Sequence, residues 1–398
     1  MAYNRIRVQC YMLHGICQLL DENMRIGIDA RFYGTSSKGL GRYTQKLIEN
    51  LEKIDSDNEY VVFLRKDNFA EYVPRNPNFH KELADYRWYS FAEQLLFPLK
   101  IRGAKVDLMH FPHFNVPLLN FIPFVVTIHD LILLHFPTKR ASTHSALWYR
   151  FKYAAYRLVI AAAVLRAKRI ITVSEFTRRD LLAHYRNLAA QKIALTYEAC
   201  FERAGSATSE PEKILSRYGI MKPYVLYVGN AYPHKNLEKL AESFSLLKKD
   251  FPDLSLVLVG KEDYFYARLK KEIAQEGIKK VVFAGYVPDK DLKVLYAQAE
   301  VYAFASLYEG FGLPPLEAMA NGAPVVSSNH ECMQEILGDA AFFADARNPH
   351  AFGAALKNVL KNKRLQQDLR EKGFKQCAKY DWAVLAKETM EVYRRALG

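Results

Sequence analysis

The chain has 398 residues, half of them hydrophobic, a quarter charged and 13% aromatic, which is too long for one ordinary core and leaves no room for a long disordered or low-complexity tract. The net charge of +13 is uneven, because residues 1–205 carry 29 Lys and Arg against 19 Asp and Glu. An anionic partner is therefore expected on the N-terminal half, and phosphate-bearing metabolites, an anionic membrane face and nucleic acid all fit that sign.

Five scattered cysteines without a C-x-x-C pair argue against a disulfide framework and a zinc site, and for a reducing, cytoplasmic compartment. No apolar run approaches the ~20 residues that span a bilayer, and no repeat recurs at a solenoid period. Residues 1–23 read as an extension, since "MRIGIDARF" from Met24 reads at once as a buried first strand.

From there β-branched apolar runs alternate with helical patterns, the sequence form of an α/β protein with doubly wound parallel sheets. The expected strands of the first half are "RIGIDA", "YVVFLR", "VDLMHF", "FVVTIH", "RIITVS" and "KIALTY". Those of the second half are "YVLYVG", "LSLVLVG", "KVVFAG", "EVYAFA" and "PVVSS". Two Rossmann-like domains follow, residues 24–205 and 206–380, joined through the polar stretch "ERAGSATSEPEK" (Glu202–Lys213). In residues 381–398, Trp382, Leu385, Ala386, Met390 and Tyr393 recur at helical spacing, so the chain closes with an amphipathic helix.

Several stretches fall where ligands of such sheets bind. In "GTSSKGLGRYT", Gly39 and Gly41 open a helix after the first strand's loop and aim backbone amides at an anion. His129 and Asp130 of "VVTIHDL" follow a strand directly; such a histidine caps a turn or meets a substrate. The basic aromatic segment Leu147–Arg169 is either a helix lying on an anionic membrane or a buried helix with snorkelling arginines. Ser174 reads as a helix N-cap. Lys235 of "YVGNAYPHKNL" stands at the C-terminal edge of the second sheet, placed as a point charge for phosphate.

"EGFGLPPLEAMANG" (Glu309–Gly322) is the most informative stretch. Gly310 and Gly312 break the helix there, Pro314 or Pro315 suits its first residue, and Gly322 stands past its end. Glu309 is thus expected on a loop and Glu317 in the first helical turn, with backbone N–H groups between them. Phosphates need N–H donors, whereas carboxylates repel phosphates and accept hydrogen bonds from hydroxyls. A ligand with both groups, such as a nucleotide sugar, satisfies the whole segment.

Taken together and in order, "GLGRYT", "TIHDL", "TVSEFTRRDL", "YVGNAYPHKNL" and "EGFGLPPLEAMANGAPVV" resemble the retaining glycosyltransferases of family 4, built on the GT-B fold. The resemblance implies that Glu309 accepts hydrogen bonds from donor-sugar hydroxyls and Glu317 holds the ribose. It implies diphosphate binding by amides of Gly310, Phe311, Gly312 and Leu313 with Lys235, joined by Gly39 and Gly41 across the cleft. His129 would contact the sugar, Tyr286 and Val287 would meet the base, and Asn230 stands where many members carry an arginine nearby. The last helix would return to the N-terminal domain. "ECMQEIL" departs from the usual S-x-L-P-E-V.

The expected activity is retaining transfer of a hexose, with mannose as the guess, from a GDP- or UDP-sugar. The acceptor would be a glycan or lipid-linked saccharide in cell-surface polysaccharide synthesis. No metal or other cofactor and no nucleic acid is expected. Peripheral contact with an anionic membrane through the basic N-terminal domain would place the protein at the inner face of the plasma membrane. A sugar-nucleotide epimerase or phosphorylase shares the architecture and remains the alternative, with a non-catalytic basic binding protein more remote.

Overall fold

The computed structural model describes residues 23–34, 38–137, 146–199 and 210–398. Residues 1–22 of the expected extension and 202–209 of the expected join lie outside them. The first sheet is formed by β1 (Arg25–Asp29), β2 (Glu59–Leu64), β3 (Phe79–Leu83), β4 (Leu108–Phe111), β5 (Phe124–Ile128), β6 (Arg169–Thr172) and β7 (Ile193–Leu195). Its order is β3-β2-β1-β4-β5-β6-β7. The second is formed by β8 (Tyr224–Val228), β9 (Ser255–Val259), β10 (Val281–Gly285), β11 (Val301–Phe304), β12 (Val325–Ser328) and β13 (Ala341–Ala344). Its order is β10-β9-β8-β11-β12-β13, and neighbouring strands in both sheets run parallel.

The expected α/β class is therefore found, twice over. Strands such as "YVVFL" and "SLVLV" are buried almost throughout because helices cover both faces, which is why they read as continuous apolar runs. Two strands escaped the sequence reading, β3 ("FHKEL") and β13 ("AFFA"). Both are edge strands that pair on one side only, so neither needs a long β-branched run. Strand order reverses beside β1 and β8, and crevices outside the carboxyl ends of the strands open at such points.

The closing helix, Trp382–Leu397, is capped by the Asp381 carboxylate, which accepts from Ala383 N at 2.6 Å. It packs on the helix Lys38–Ile54 of the first domain. Trp382 meets Tyr43 there at 6.4 Å between rings. The Tyr393 hydroxyl shares a 2.7 Å hydrogen bond with His110 Nδ1, whose Nε2 lies 2.9 Å from Thr127 Oγ1. Burial pushes the His110 imidazole down to about 3, so it is neutral and depends on these two hydroxyls. Tyr393→Phe removes one of them, leaving a buried ring nitrogen unsatisfied. Chemical denaturation should show a loss of about 1–3 kcal/mol; an unchanged midpoint would mean that water replaces the hydroxyl.

Candidate active site

Between the two sheets lies a cleft of about 960 Å³, lined from both domains. Its second-domain wall is the expected glycine turn. Gly312 takes φ +94°, a left-handed conformation suited to glycine, and caps the helix Leu313–Ala320. The helix begins at Leu313, so Pro314 is its second residue, where the missing N–H costs nothing. Glu317 is the fifth residue, in the second turn and not the first as expected, because the helix starts before the prolines. Gly322, at φ +79°, follows the helix end.

Both acids line the cleft and both are nearly buried, 7% exposed for Glu309 and 6% for Glu317. Lys235 Nζ donates to Glu309 Oε1 at 2.6 Å. Burial alone would raise the Glu309 carboxyl, but the Lys235 charge brings it below its ordinary value. Lys235 ends a short 3-10 turn, Pro233–Lys235, fixed by Asn236. Asn236 takes a left-handed φ of +60° and donates to Ala305 O at 3.3 Å and Ala346 O at 2.7 Å. Glu317 is met from the other domain. Arg42 Nη1 donates to its Oε1 at 3.1 Å, and the Tyr296 hydroxyl donates to Oε2 at 3.1 Å. Burial outweighs these partners and raises the Glu317 carboxyl.

Arg42 also pairs with Asp289 at the rim. It stands three residues after Gly39 on one helix face, inside the "GLGRYT" stretch, and was not singled out from sequence; that spacing was the available signal. Gly39 lines the cleft, whereas Gly41 does not, because two residues turn roughly 200° around a helix. An Asp-x-Asp pair, Asp289 and Asp291, stands nearby, but its carboxylates diverge, Asp289 to Arg42 and Asp291 to Arg217 and Tyr218. Among the described residues no group of three or more His, Cys, Asp or Glu side chains is placed to hold a metal ion.

His129 faces these acids from the first domain. Its Nδ1 lies 2.8 Å from Glu198 Oε1 and its Nε2 2.9 Å from Pro112 O, both acceptors. Burial opposes the charged ring, but Glu198 and the Pro112 carbonyl prevail and raise the imidazole above its ordinary value. Glu198, which follows β7, is a further cleft residue that no sequence pattern marked. Asn230, Tyr286, Val287, Gly310, Phe311 and Leu313 also line the cleft, as does Asp130.

The domains touch at one edge of the cleft. A Cβ on Gly310 would overlap the His129 carbonyl oxygen. Ser174 is the expected N-cap, accepting from Thr177 N at 3.0 Å, and it also donates to Gly310 O at 2.6 Å. Glu335, within "ECMQEIL", reaches across to accept from Glu175 N at 2.6 Å and Phe176 N at 2.7 Å. A carboxylate of one domain thus caps a helix of the other. Tyr308 donates to Asp180 across the same edge.

Two family models divide the chain between them. "Glycosyltransferase Family 4" matches residues 37–199 and "Glycosyl transferases group 1" matches residues 212–376. This chain belongs to glycosyltransferase family 4. Among its relatives, O-antigen chain mannosyltransferase B of Escherichia coli is 29% identical, across 89% of this chain and 96% of the relative. O-antigen chain mannosyltransferase RfbU of Salmonella typhimurium is 28% identical, across 82% and 88%. Solved structures share the glycosyltransferase's GT-B fold. Sucrose-phosphate synthase from Thermosynechococcus elongatus superposes with a TM-score of 0.73 at 18% identity, over 94% of this chain and 98% of that one. Anabaena HepE, solved with UDP and glucose, gives 0.71 at 15%, over 94% and 100%.

The ion pair in this family 4 glycosyltransferase makes stability depend on pH. A carboxyl held below its ordinary value of 4.5 contributes fully well above that pH, and its contribution is lost as pH falls through the folded value. In Lys235→Ala the main offset to burial is lost, leaving only the weaker help of His234 and Ser306, so the carboxyl rises. Urea unfolding should therefore show the variant less stable by up to about 3 kcal/mol at pH 7, with the gap closing towards pH ~4; a gap independent of pH would contradict the pairing. Gly310→Ala should hold the domains apart, seen as a larger radius of gyration in X-ray scattering with weaker nucleotide-sugar binding. Unchanged scattering would show that the edge can yield.

Proposed function

We propose that this glycosyltransferase moves a hexose, mannose by the names of its relatives, from a guanosine or uridine diphosphate sugar to a saccharide acceptor, with retention, during synthesis of a cell-surface polysaccharide. The observation that carries this reading is the Glu309–Lys235 pair beside the glycine turn. One wall thereby offers a carboxylate for hydroxyls, and a cation and amides for phosphate.

On binding, the diphosphate draws the Lys235 ammonium from Glu309, freeing the carboxylate to accept from sugar hydroxyls. Amides of Gly310, Phe311, Gly312 and Leu313, at a helix N-terminus, take phosphate oxygens, with Gly39 opposite. Glu317 holds the ribose once Arg42 swings towards the phosphates, Tyr286 and Val287 meet the base, and Asn230 completes that side. As the bond from the anomeric carbon to phosphate oxygen breaks, negative charge collects on the departing diphosphate. Lys235, the amides and His129, once positioned by binding, stabilise it. The acceptor hydroxyl attacks from the face the phosphate leaves, and its proton passes to a phosphate oxygen. No resident metal or other cofactor takes part in this proposal.

Thermal shifts against GDP-, UDP- and ADP-sugars test the donor site without an acceptor. One nucleotide class should stabilise the protein, by ~2.7 kcal/mol at a hundredfold excess over Kd, and the shift should shrink in Lys235→Ala and Glu309→Gln. No shift with any of them in a folded sample would overturn the reading.

A further inference from the structure

Three segments of the first domain expose large apolar side chains together. The helix Phe91–Gly103 buries Glu93, Phe97 and Ile101 but turns Phe91, Leu95, Leu96 and Leu99 outward, with Phe91 87% exposed. The positions 91, 95 and 99 form one stripe. The neighbouring loop exposes Leu119 and, at 84%, Phe121. The helix Ala146–Arg166 adds Phe151, Leu158 and Leu165, spaced by seven along a second exposed stripe. Hydrogen bonds join the three: Leu118 N donates to Gln94 Oε1 at 2.8 Å, and Arg166 donates to Leu118 O at 2.6 Å and to Asn120 O.

The charges on these segments are mainly basic, with Glu82 paired to Lys100 at 2.6 Å beside them. Helix Ala146–Arg166 has no acidic residue and four basic ones, Arg150, Lys152, Arg157 and Arg166. On the first helix Lys100 and Arg102 stand near the C-terminal end, and its one acid, Glu93, is buried against Arg31. Exposed phenylalanine and leucine with basic and no free acidic neighbours match an anionic interface, where the apolar groups enter the acyl boundary and the cations meet headgroup phosphates. None of the helices among the described residues is long and apolar enough to cross a membrane.

We infer that this face docks the enzyme on an anionic lipid bilayer. The face also borders the cleft. His113 lines the cleft and packs on Phe114 at 3.9 Å between rings, and Phe114 meets Tyr156 of the basic helix at 5.0 Å. A docked enzyme therefore holds its acceptor side next to the lipid surface, where a saccharide anchored by a lipid would be presented. This purpose rests on the saccharide-acceptor reading above, whereas the docking itself does not.

The test is flotation of the full chain with vesicles of phosphatidylcholine alone or mixed with phosphatidylglycerol. Binding is expected only to the anionic vesicles and should weaken with salt. The pair Leu95→Ser with Leu99→Ser should lower it about tenfold or more, and Arg150→Ser with Arg157→Ser should lower it and flatten the salt dependence. Both variants should keep the parent's nucleotide-sugar thermal shift, which shows the fold and donor site intact and tests the proposed function separately. No binding to anionic vesicles at low salt, or binding that neither pair alters, overturns the inference. A dimer in light scattering that Leu95→Ser with Leu99→Ser abolishes would assign the face to a second copy instead.

Discussion

Two carboxylates are forced into the cleft wall by a left-handed glycine, and a buried carboxylate must be paired or neutralised. The rest of the site follows from that constraint. Glu309 is met by Lys235 from its own domain, which requires the tight turn after β8 and the asparagine that pins it. Glu317 is met by Arg42 from the other domain, which ties the first helix of one sheet to the glycine turn of the other. Both cations line the cleft, so under the proposed function a diphosphate would compete with the two carboxylates for them. Under the proposed function, binding is therefore an exchange of partners within a preformed wall, in which the cations turn to the diphosphate and the carboxylates are left to accept from sugar and ribose hydroxyls.

The closed edge obeys the same logic with backbone groups. A helix N-terminus brought against another domain leaves N–H donors that need acceptors. Glu335 supplies them for Glu175 and Phe176, while Ser174 and Thr177 satisfy the Gly310 carbonyl. Aromatic side chains pack across the same edge, with Phe176 on Tyr308 at 5.3 Å and on His330 at 4.6 Å between rings. Side-chain packing also fixes the last segment of the chain. There the closing helix lies on the first domain, with a neutral histidine between two hydroxyls at its deepest point.

The two domains divide the chemistry. The second domain carries most of the groups suited to a nucleotide sugar, on loops at the carboxyl ends of its strands. The first carries the positive surplus, and much of it stands on helices whose exposed faces are apolar. A charge excess compatible with several anionic partners acquires a second property once exposed leucines and phenylalanines are seen among the cations, and the docking proposal rests on that combination.

Much of this was legible beforehand. Buried parallel strands announce themselves as unbroken apolar runs, so the two doubly wound sheets could be read directly, apart from edge strands that need no such run. Glycine, proline and acid at close spacing marked the turn from Glu309 to Gly322, since its backbone geometry and hydrogen-bonding chemistry are local. Local signals could not show that Arg42 would meet Glu317, that Glu198 would pair with His129, or that Glu335 would cap a helix begun 160 residues earlier. Nor could periodicity choose between a buried and a surface role for the basic aromatic helix. Those are contacts between segments far apart in the chain, and only tertiary packing, which decides who is buried against whom, brings them within the few ångströms over which charges and hydrogen bonds act.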